Sequence, residues 1–280
     1  MGTRNLNQAT KEYYDETQIL YTLFWSQDAL QYGFWDKNTR NLSEAILNSN
    51  EFILNCLNIN SRDFVLEAGC GIGGTSIFIA EKTGAKVTGI TISDVQLKKA
   101  KEKAHKSKAS NLLNFSNQDF TKTNFRKETF SKIFGIESIC YAHKKIDFLN
   151  EAYRIMKFNG KIAIVDAYRT RRKINKKERE IYNKFLKGWT VPNLSLKDDF
   201  FNDLKKAGFK NIIFHDKLES IKKSSKKIRR LGIFSYPLIL LLSLLKIIPK
   251  SMHGNAIACI NQKRLFDNGM LTYGVFVAEK

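Results

Sequence analysis

Cysteine is scarce in this chain of 280 residues, which contains only four. Cys56, Cys70, Cys140 and Cys259 lie far apart and form no CxxC pair, so neither a zinc site nor a disulfide framework is expected. The first residues, MGTRNLNQATKEYYDE, lack the apolar core of a signal peptide. The start is Met-Gly, but Leu6 stands where a myristoylation motif requires Ser or Thr. These absences favour a reducing, cytoplasmic setting without a bound metal.

Proline and linker sequences are also rare. The chain has three prolines, no Gly/Ser-rich or Pro-rich linker and no internal repeat. A single domain with insertions is therefore simpler than two independent domains. We expect an aromatic-rich helical segment over residues 1–60, followed by the main domain over residues 61–280. Insertions that form a cap or lid are expected at about residues 170–200 and 217–268.

Apolar runs long enough to span a membrane are missing. The uncharged stretch at residues 231–245 has 15 residues, short of the roughly 20 that a spanning helix needs, and Pro237 is expected to interrupt it. A basic run at residues 222–230 precedes it. This combination suits a helix at an anionic membrane surface or a lid over a lipid-like substrate. A buried helix in a cap is the alternative.

Acidic residues are outnumbered, with 27 Asp and Glu against 47 Lys and Arg, for a formal net charge of +20. Such a charge predicts attraction to phosphate-bearing partners. The basic residues are dispersed, however, and many belong to stretches typical of solvated helix faces. Because no RNA-binding module is recognisable, we expect no nucleic-acid partner.

What is present from residue 64 onward is an alternation of short apolar runs with longer amphipathic stretches. This pattern predicts an α/β fold in which helices cover both faces of a mostly parallel sheet. Seven strands are predicted at residues 64–68, 86–91, 113–117, 132–136, 161–167, 211–216 and 271–278. Helices are predicted between them at residues 75–82, 95–107, 145–156 and 196–207.

The first predicted strand ends in a glycine-rich loop. FVLEAG leads into Gly69-Cys70-Gly71-Ile72-Gly73-Gly74 and then into a predicted helix, so backbone amides lie where a nucleotide-like ligand can approach. Glu67 precedes this loop. Its carboxylate would attract a cationic amino group and repel a pyrophosphate. The loop therefore favours a sulfonium amino-acid nucleoside over a dinucleotide.

The stretches VLEAGCGIGG and VTGITISDVQLKKA resemble the sterol and tocopherol methyltransferase group. That group includes enzymes acting on small terpenoids and is similar to the cyclopropane fatty acid synthases. YYDETQILYTLFW, QYGFWD, ESICYAHKKIDFLNEAYRIMKFNGKI and LTYGVFVAEK extend the resemblance over most of the chain. It implies a class I methyltransferase with S-adenosyl-L-methionine as cofactor. The implied fold is a Rossmann-like, doubly wound, seven-stranded sheet whose last strand is antiparallel.

The resemblance also implies cofactor-binding roles. The methionine part of the cofactor would lie near Glu67, Gly69, Cys70 and Gly71. The ribose would lie near Thr91, Ile92 and Ser93, with help from Gln96. The adenine would meet Asp119 and Phe120, whose alternative role is that of a turn or helix-cap pair.

Glu137 is the leading catalytic candidate. It follows the fourth predicted strand, at the sheet edge where open α/β folds bind ligands, and an apolar pocket would make it a base or a stabiliser of positive charge. Tyr141 and His143 follow closely and are candidates for orienting the substrate or relaying a proton. For His143, a cap or surface position is the alternative.

The proposed reaction is methyl transfer to a lipophilic small molecule, such as a sterol, terpenoid or prenylquinol, at carbon or oxygen. N-methylation of a small amine is an alternative, as is a non-catalytic membrane-associated binding protein of the same fold. Expected partners are the lipophilic substrate, an anionic membrane surface contacted through residues 222–250, and further copies of the chain in a homo-oligomer.

Overall fold

The computed structural model describes residues 3–26 and 29–280. Residues 1, 2, 27 and 28, which fall within the predicted segment 1–60, lie outside the described residues. The strands are β1 (Phe64–Ala68), β2 (Lys86–Thr91), β3 (Leu113–Asn117), β4 (Phe130–Ile136), β5 (Met156–Arg169), β6 (Lys210–Asp216) and β7 (Leu271–Glu279). The helices are α1 (Thr3–Phe24), α2 (Leu42–Leu57), α3 (Gly74–Thr83), α4 (Asp94–Lys106), α5 (Lys145–Ile155), α6 (Lys176–Gly188), α7 (Lys197–Lys206), α8 (Leu218–Leu244) and α9 (Lys250–Asp267).

One mixed sheet organises the molecule, with strand order β3-β2-β1-β4-β5-β7-β6. Strands β1 to β5 pair in parallel, whereas β7 pairs antiparallel with both β5 and β6. Each predicted strand coincides with an observed one, and the predicted doubly wound fold with an antiparallel last strand is confirmed. The largest difference in length is at β5, which begins at Met156, directly after α5 ends.

Alternating side chains of the strands build two apolar layers, because successive residues of a strand point to opposite faces of a sheet. Val65 packs in the layer that contains residues of α2, α3, α6 and α9. Its neighbour Leu66 packs in the layer that contains residues of α5 and α7. Both faces are therefore covered, as the near-continuous apolar sequences of the strands require.

Two helices, α8 and α9, occupy the segment 217–268, and α6 occupies part of the segment 170–200. Together they form a helical cap, whereas the bounds of the two insertions and the division of the chain into a segment 1–60 and a main domain stay predictions. The expectation that Pro237 interrupts the apolar stretch is wrong, since α8 runs through it. Pro237 is exposed, so water can bind the carbonyl that its missing N–H leaves unpaired. Buried Gly232 also lets α9 approach closely: a Cβ there would lie 2.9 Å from Cβ of Cys259.

Within residues 3–26 and 29–280, no helix is both long and apolar enough to cross a bilayer.

The contact between α6 and α9 provides a test of the cap. A Cβ at Gly188 would lie 2.2 Å from the carbonyl oxygen of Gly254, whereas a Cβ at Gly254 would have no neighbour nearer than 3.4 Å. We therefore expect Gly188→Ala to lower the free energy of unfolding by about 1–3 kcal/mol through overpacking. Gly254→Ala, the matched control, should be neutral or stabilising, because alanine favours helix. Urea unfolding measures both, and equal effects of the two substitutions would contradict this packing.

Candidate active site

One continuous cavity of about 570 Å³ lies at the carboxyl ends of β1, β2 and β4, beneath α1, α8 and α9. Parallel strands bring the loops that follow them to one edge of the sheet, which is where such folds place ligands. The cavity brings together the residues that the sequence nominates for catalysis or cofactor binding, with the exception of Ser93. They are Glu67, Gly69, Cys70, Gly71, Thr91, Ile92, Gln96, Asp119, Phe120, Glu137, Tyr141 and His143.

The glycines of the β1 loop serve different purposes. The amides of Gly69 and Cys70 both donate to the carbonyl oxygen of Ile90, at 2.9 Å, which ties the loop to β2. Gly69 has a φ of +80°, and a Cβ there would lie 2.4 Å from Cβ of Ser138, so this glycine is required by packing. Gly71, with a φ of +52°, borders open space: an added Cβ would meet no atom within 4 Å. A ligand can therefore approach the backbone closely at Gly71.

Glu67 is a buried carboxylate beside this loop. Its Oε2 accepts a hydrogen bond of 2.5 Å from the hydroxyl of Ser76, in the first turn of α3. Burial raises the pKa of Glu67 to about 8, and the hydrogen bonds from the Ser76 hydroxyl and backbone only partly offset this. Among the described residues no Lys or Arg pairs with Glu67. A ligand with a cationic amino group would therefore supply the positive charge that Glu67 lacks.

The ribose candidates divide into two groups. Thr91 donates to Gln96 at 3.1 Å, and Gln96 donates in turn to Gln18 of α1 at 3.2 Å. Ser93 instead caps α4, accepting from the amide of Gln96, and donates to Asp15 of α1 at 2.5 Å. Ser93 is absent from the cavity wall, so its role is to anchor helices rather than to contact the ligand.

Asp119 forms a turn and also borders the cavity, while its adenine contact stays a prediction. It lines the cavity, and its Oδ1 accepts from the amide and hydroxyl of Thr121, at 2.8 and 2.7 Å, as in a turn. Its Oδ2 accepts from Asn7 of α1 at 2.6 Å. The ring of Phe120 packs edge-on against Phe148, with the ring centroids 5.5 Å apart. An amine that binds Asp119 would share it with, or displace, the amide of Asn7.

Glu137 stands in a strained backbone position, with a φ of +50°. Its Oε1 accepts two hydrogen bonds, from the hydroxyl of Tyr273 at 2.5 Å and from the amide of Tyr32 at 2.9 Å. Burial raises the pKa of Glu137 to about 8, and these two hydrogen bonds oppose that rise. Because the side chain borders the cavity, part of it stays accessible. The group is thus held in place and able to take up a proton near neutral pH.

Tyr141 and His143 differ in their surroundings. The ring of Tyr141 packs edge-on against Tyr14 of α1, with 5.4 Å between the ring centroids. His143 is exposed at the edge of the cavity, and its carbonyl oxygen accepts from the side chain of Asn193. Tyr141 is therefore part of the cavity wall, whereas His143 has the surface position that was the alternative for it.

Lys145 is an important residue that no sequence pattern singled out. Its buried ammonium donates to the carbonyl oxygens of Cys140, Ala142 and Asn193, at 2.8, 2.6 and 2.9 Å. Asp166, also buried, accepts from the amide of Cys140 at 2.8 Å. Burial lowers the pKa of Lys145 to about 8 and raises that of Asp166 to about 6. Together they fix the turn that carries Tyr141.

Tyrosines of the N-terminal segment also build the site, since Tyr14, Tyr21 and Tyr32 line the cavity. Tyr13 and Tyr21 share a hydrogen bond of 2.8 Å, and Asn255 of α9 donates to both hydroxyls, at 2.6 and 2.9 Å. Tyr32 donates to Gln262 at 3.0 Å. In the sequence, the only indication of these site residues is the high density of aromatic residues before β1. These aromatic residues include some that line the cavity and some that belong to the core.

Acidic side chains predominate over basic ones in the cavity wall, although the molecule as a whole is basic. In the described part of the chain its wall includes no Lys or Arg. Five carboxyl groups line it: Glu67, Asp119, Glu137, Asp147 and Asp166. The remainder is largely apolar, with aromatic and aliphatic side chains from the cap. Such a cavity disfavours phosphate or carboxylate groups and accepts neutral or cationic ligands.

A family model described as "Mycolic acid cyclopropane synthetase" matches residues 2–217. The chain is 29% identical over 212 residues to sterol 24-C-methyltransferase ERG6 of Saccharomyces cerevisiae, covering 75% of this chain and 55% of that one. It is 26% identical over 296 residues to the chloroplastic tocopherol O-methyltransferase of Arabidopsis thaliana, covering 100% and 84%. The chain spans little more than half the length of the sterol methyltransferases that it matches.

Among solved structures, the cyclopropane synthase MmaA2 from Mycobacterium tuberculosis shares the fold with a TM-score of 0.84 and 14% identity, over 98% of both chains. The family match confirms the resemblance predicted from the sequence.

The buried carboxylates make stability depend on pH. An acid whose pKa is higher in the folded than in the unfolded state binds more protons when folded, so the free energy of unfolding falls as pH rises between the two values. For Glu67 this range runs from the ordinary 4.5 to about 8. Glu67→Gln should therefore stabilise the ligand-free protein at pH 8, by on the order of 1–3 kcal/mol, but not at pH 4.5.

Urea unfolding at the two pH values measures this difference. Glu102→Gln, at an exposed position of α4, is the control and should leave the pH dependence unchanged. If Glu67→Gln destabilises the protein at pH 8, Glu67 is not an uncompensated buried acid.

Proposed function

Since the chain belongs to the mycolic acid cyclopropane synthetase family, we propose that it is an S-adenosylmethionine-dependent methyltransferase acting on a lipophilic acceptor at carbon or oxygen. A sterol, terpenoid or prenylquinol-like molecule is the proposed acceptor class. The observation that supports this most is the continuity of the cavity, which joins the Glu67 and Gly71 region to Glu137 and to the apolar wall of the cap.

The residues at the β1 end of the cavity fit the proposed cofactor. Glu67 is a buried carboxylate without a cationic partner among the described residues, and the amino group of an amino acid would supply one. Gly71 leaves the open space that a close backbone approach needs. Thr91 and Gln96 offer polar groups for ribose hydroxyls, and Asp119 offers a carboxylate for the adenine amine. These four assignments are part of the proposal.

When bound, the cofactor supplies a methyl group on a positively charged sulfur, which is already a strong electrophile. The protein's contribution is then to hold the acceptor in line with that group and to remove a proton. Glu137 is the proposed base. Its hydrogen bonds from Tyr273 and Tyr32 fix Oε1, and its pKa of about 8 suits proton acceptance near neutral pH.

The walls of the cavity support a neutral acceptor. A diphosphate or carboxylate head group would meet five carboxyl groups and, among the described residues, no cationic side chain. The cap contributes apolar surface through Phe185, Val191, Leu194, Ile228 and Leu231. Burying an apolar acceptor against such side chains gains about 25 cal/mol for each Å² removed from water.

An amine acceptor is the second candidate, because carboxylates and tyrosine rings without a bound cation also suit an ammonium group. The two candidates differ in where a labelled methyl group is found after reaction with a cell extract. A lipophilic product enters the organic phase, whereas a methylated small amine stays in water.

The proposal also includes contact with an anionic membrane surface through residues 222–250 and a cytoplasmic location. The basic run at residues 222–230 and the exposed apolar side chains that follow it in α8 support this contact. Homo-oligomer formation stays a prediction.

Cofactor binding provides the first test. Gly71 and Gly269 both have a left-handed backbone, at φ +52° and +67°, and an added Cβ meets open space at each, but only Gly71 borders the cavity. Calorimetric titration should show micromolar binding of S-adenosylmethionine and no binding of NAD. Gly71→Leu should weaken this binding at least a hundredfold by filling the ligand's space, whereas Gly269→Leu should retain it. Equal affinities of the two variants would contradict the assignment of the β1 loop.

Catalysis provides the second test. Glu137→Gln should bind the cofactor normally and lose about 10²–10⁴-fold in methyl transfer, because the amide cannot accept the proton. The readout is labelled methyl entering the organic phase of an extract. Glu128→Gln is the control, since Glu128 has a similar φ of +54° but lies outside the cavity wall. Normal turnover by Glu137→Gln would remove this residue from the mechanism.

A further inference from the structure

The cavity reaches the surface at an apolar rim formed by Phe24 of α1 and by Phe234 and Leu238 of α8. All three side chains line the cavity, yet their exposed fractions are 60%, 82% and 61%. Large apolar side chains at the mouth of a cavity carry a cost in water unless a partner covers them.

The rim belongs to a larger exposed apolar surface. On α1, it continues through Ile19 and Leu23. On α8 and the turn after it, it continues through Ile233, Leu241, Leu244, Leu245 and Ile247. At 100° per residue, Phe234, Leu238, Leu241 and Leu245 fall within about 60° of one another on one side of α8. Ile228, Gly232 and Ile239, which line the inner part of the cavity, are centred roughly 130° further round the helix, so Phe234 and Leu238 stand where the outer side meets the cavity mouth.

The same outer side of α8 is basic in its first half. Lys223, Lys226, Lys227 and Arg230 are exposed and follow the same helical spacing. Residues 222–250 contain eight Lys and Arg and no Asp or Glu. Two of the lysines lie over tryptophan rings: Nζ of Lys227 is 5.5 Å from the ring centre of Trp25, and Nζ of Lys223 is 5.2 Å from that of Trp35. One helix face thus changes from cationic to apolar along its length.

The sequence of cationic and then apolar side chains along α8 indicates which kind of partner this face binds. A bilayer with anionic head groups offers negative charge at its surface and hydrocarbon beneath it, which matches a surface whose cationic and apolar parts are adjacent. A second copy of the chain would place two groups of eight basic residues close together without acidic residues between them, so self-association through this surface is disfavoured.

We propose that the outer face of α8 and the end of α1 dock on an anionic bilayer, and that the apolar rim is the entrance by which the acceptor passes from the membrane into the cavity. The entrance role rests on the proposed methyltransferase function, whereas the docking does not. The cofactor end stays in water: Asn7, which contacts Asp119, precedes Phe24 by 17 residues of α1, or about 25 Å.

Vesicle flotation tests the docking. The intact protein should float with phosphatidylcholine vesicles containing 30% phosphatidylglycerol, float less in 0.5 M salt, and remain unbound with phosphatidylcholine alone. Phe234→Glu/Leu238→Glu should weaken this binding by about tenfold or more, because two apolar contacts with hydrocarbon are lost. Phe158→Glu/Ile213→Glu is the matched control, as Phe158 and Ile213 are 77% and 55% exposed but lie away from the cavity.

A second measurement locates the surface directly. Vesicles whose acyl chains carry bromine should quench a tryptophan introduced by Phe234→Trp, but not one introduced by Phe158→Trp. Sedimentation velocity of the same proteins tests self-association. Equal vesicle binding by the two Glu double variants, absence of quenching at position 234, or a dimer that Phe234→Glu/Leu238→Glu dissociates would each overturn the docking proposal.

The entrance role needs its own readout. Phe234→Glu/Leu238→Glu should keep its affinity for S-adenosylmethionine in calorimetry while losing label transfer to lipids presented in vesicles. If the unmodified protein does not bind S-adenosylmethionine, the methyltransferase function is overturned, but the docking proposal is unaffected. Normal transfer from vesicles by the Glu double variant would overturn the entrance.

Discussion

The structure depends on a single constraint, which is that two carboxylates, the buried Glu67 and the half-buried Glu137, have no cation beside them among the described residues. Taking a carboxylate out of water is expensive, and both groups have a pKa of about 8 as a result. The fold tolerates them because Ser76 donates to one and Tyr273 to the other. Each remains incompletely compensated, so each is poised to interact with a positively charged or proton-donating ligand.

Charge is separated across the molecule around this constraint. The chain carries a net charge of +20, yet no Lys or Arg belongs to the cavity wall within the described residues. A lysine in the cavity wall would form an ion pair with these carboxylates. Because the cations lie outside the cavity, the carboxylates remain free to bind a cationic ligand. Lys145 illustrates the difference: it is buried close to the cavity, but backbone carbonyl groups bind its ammonium.

Helix α1 connects the parts of the site that different strands supply. Asp15 and Gln18 contact the region after β2, through Ser93 and Gln96. On another side of the helix, Glu16 accepts a hydrogen bond from Ser251, in the first turn of α9. Because one helix bonds to both the region after β2 and the cap, movement of the cap and access to that region of the cavity are expected to be coupled.

The sequence by itself determined the positions of the strands and of the glycine loop, since these depend on local periodicity and on backbone freedom at Gly71. The doubly wound order with an antiparallel last strand was implied by the family resemblance. The sequence also pointed to Glu137, because the end of a predicted strand can be located from the sequence alone and ligands bind at the carboxyl ends of parallel strands. Only the tertiary structure decided which groups meet there. Tyr273 lies 136 residues from the carboxylate to which it donates, and Ser93 turns towards Asp15 instead of the cavity. Helix α8 likewise continues through Pro237, and α9 packs closely against it at Gly232. Contacts of this kind arise from long-range packing, which local sequence does not encode.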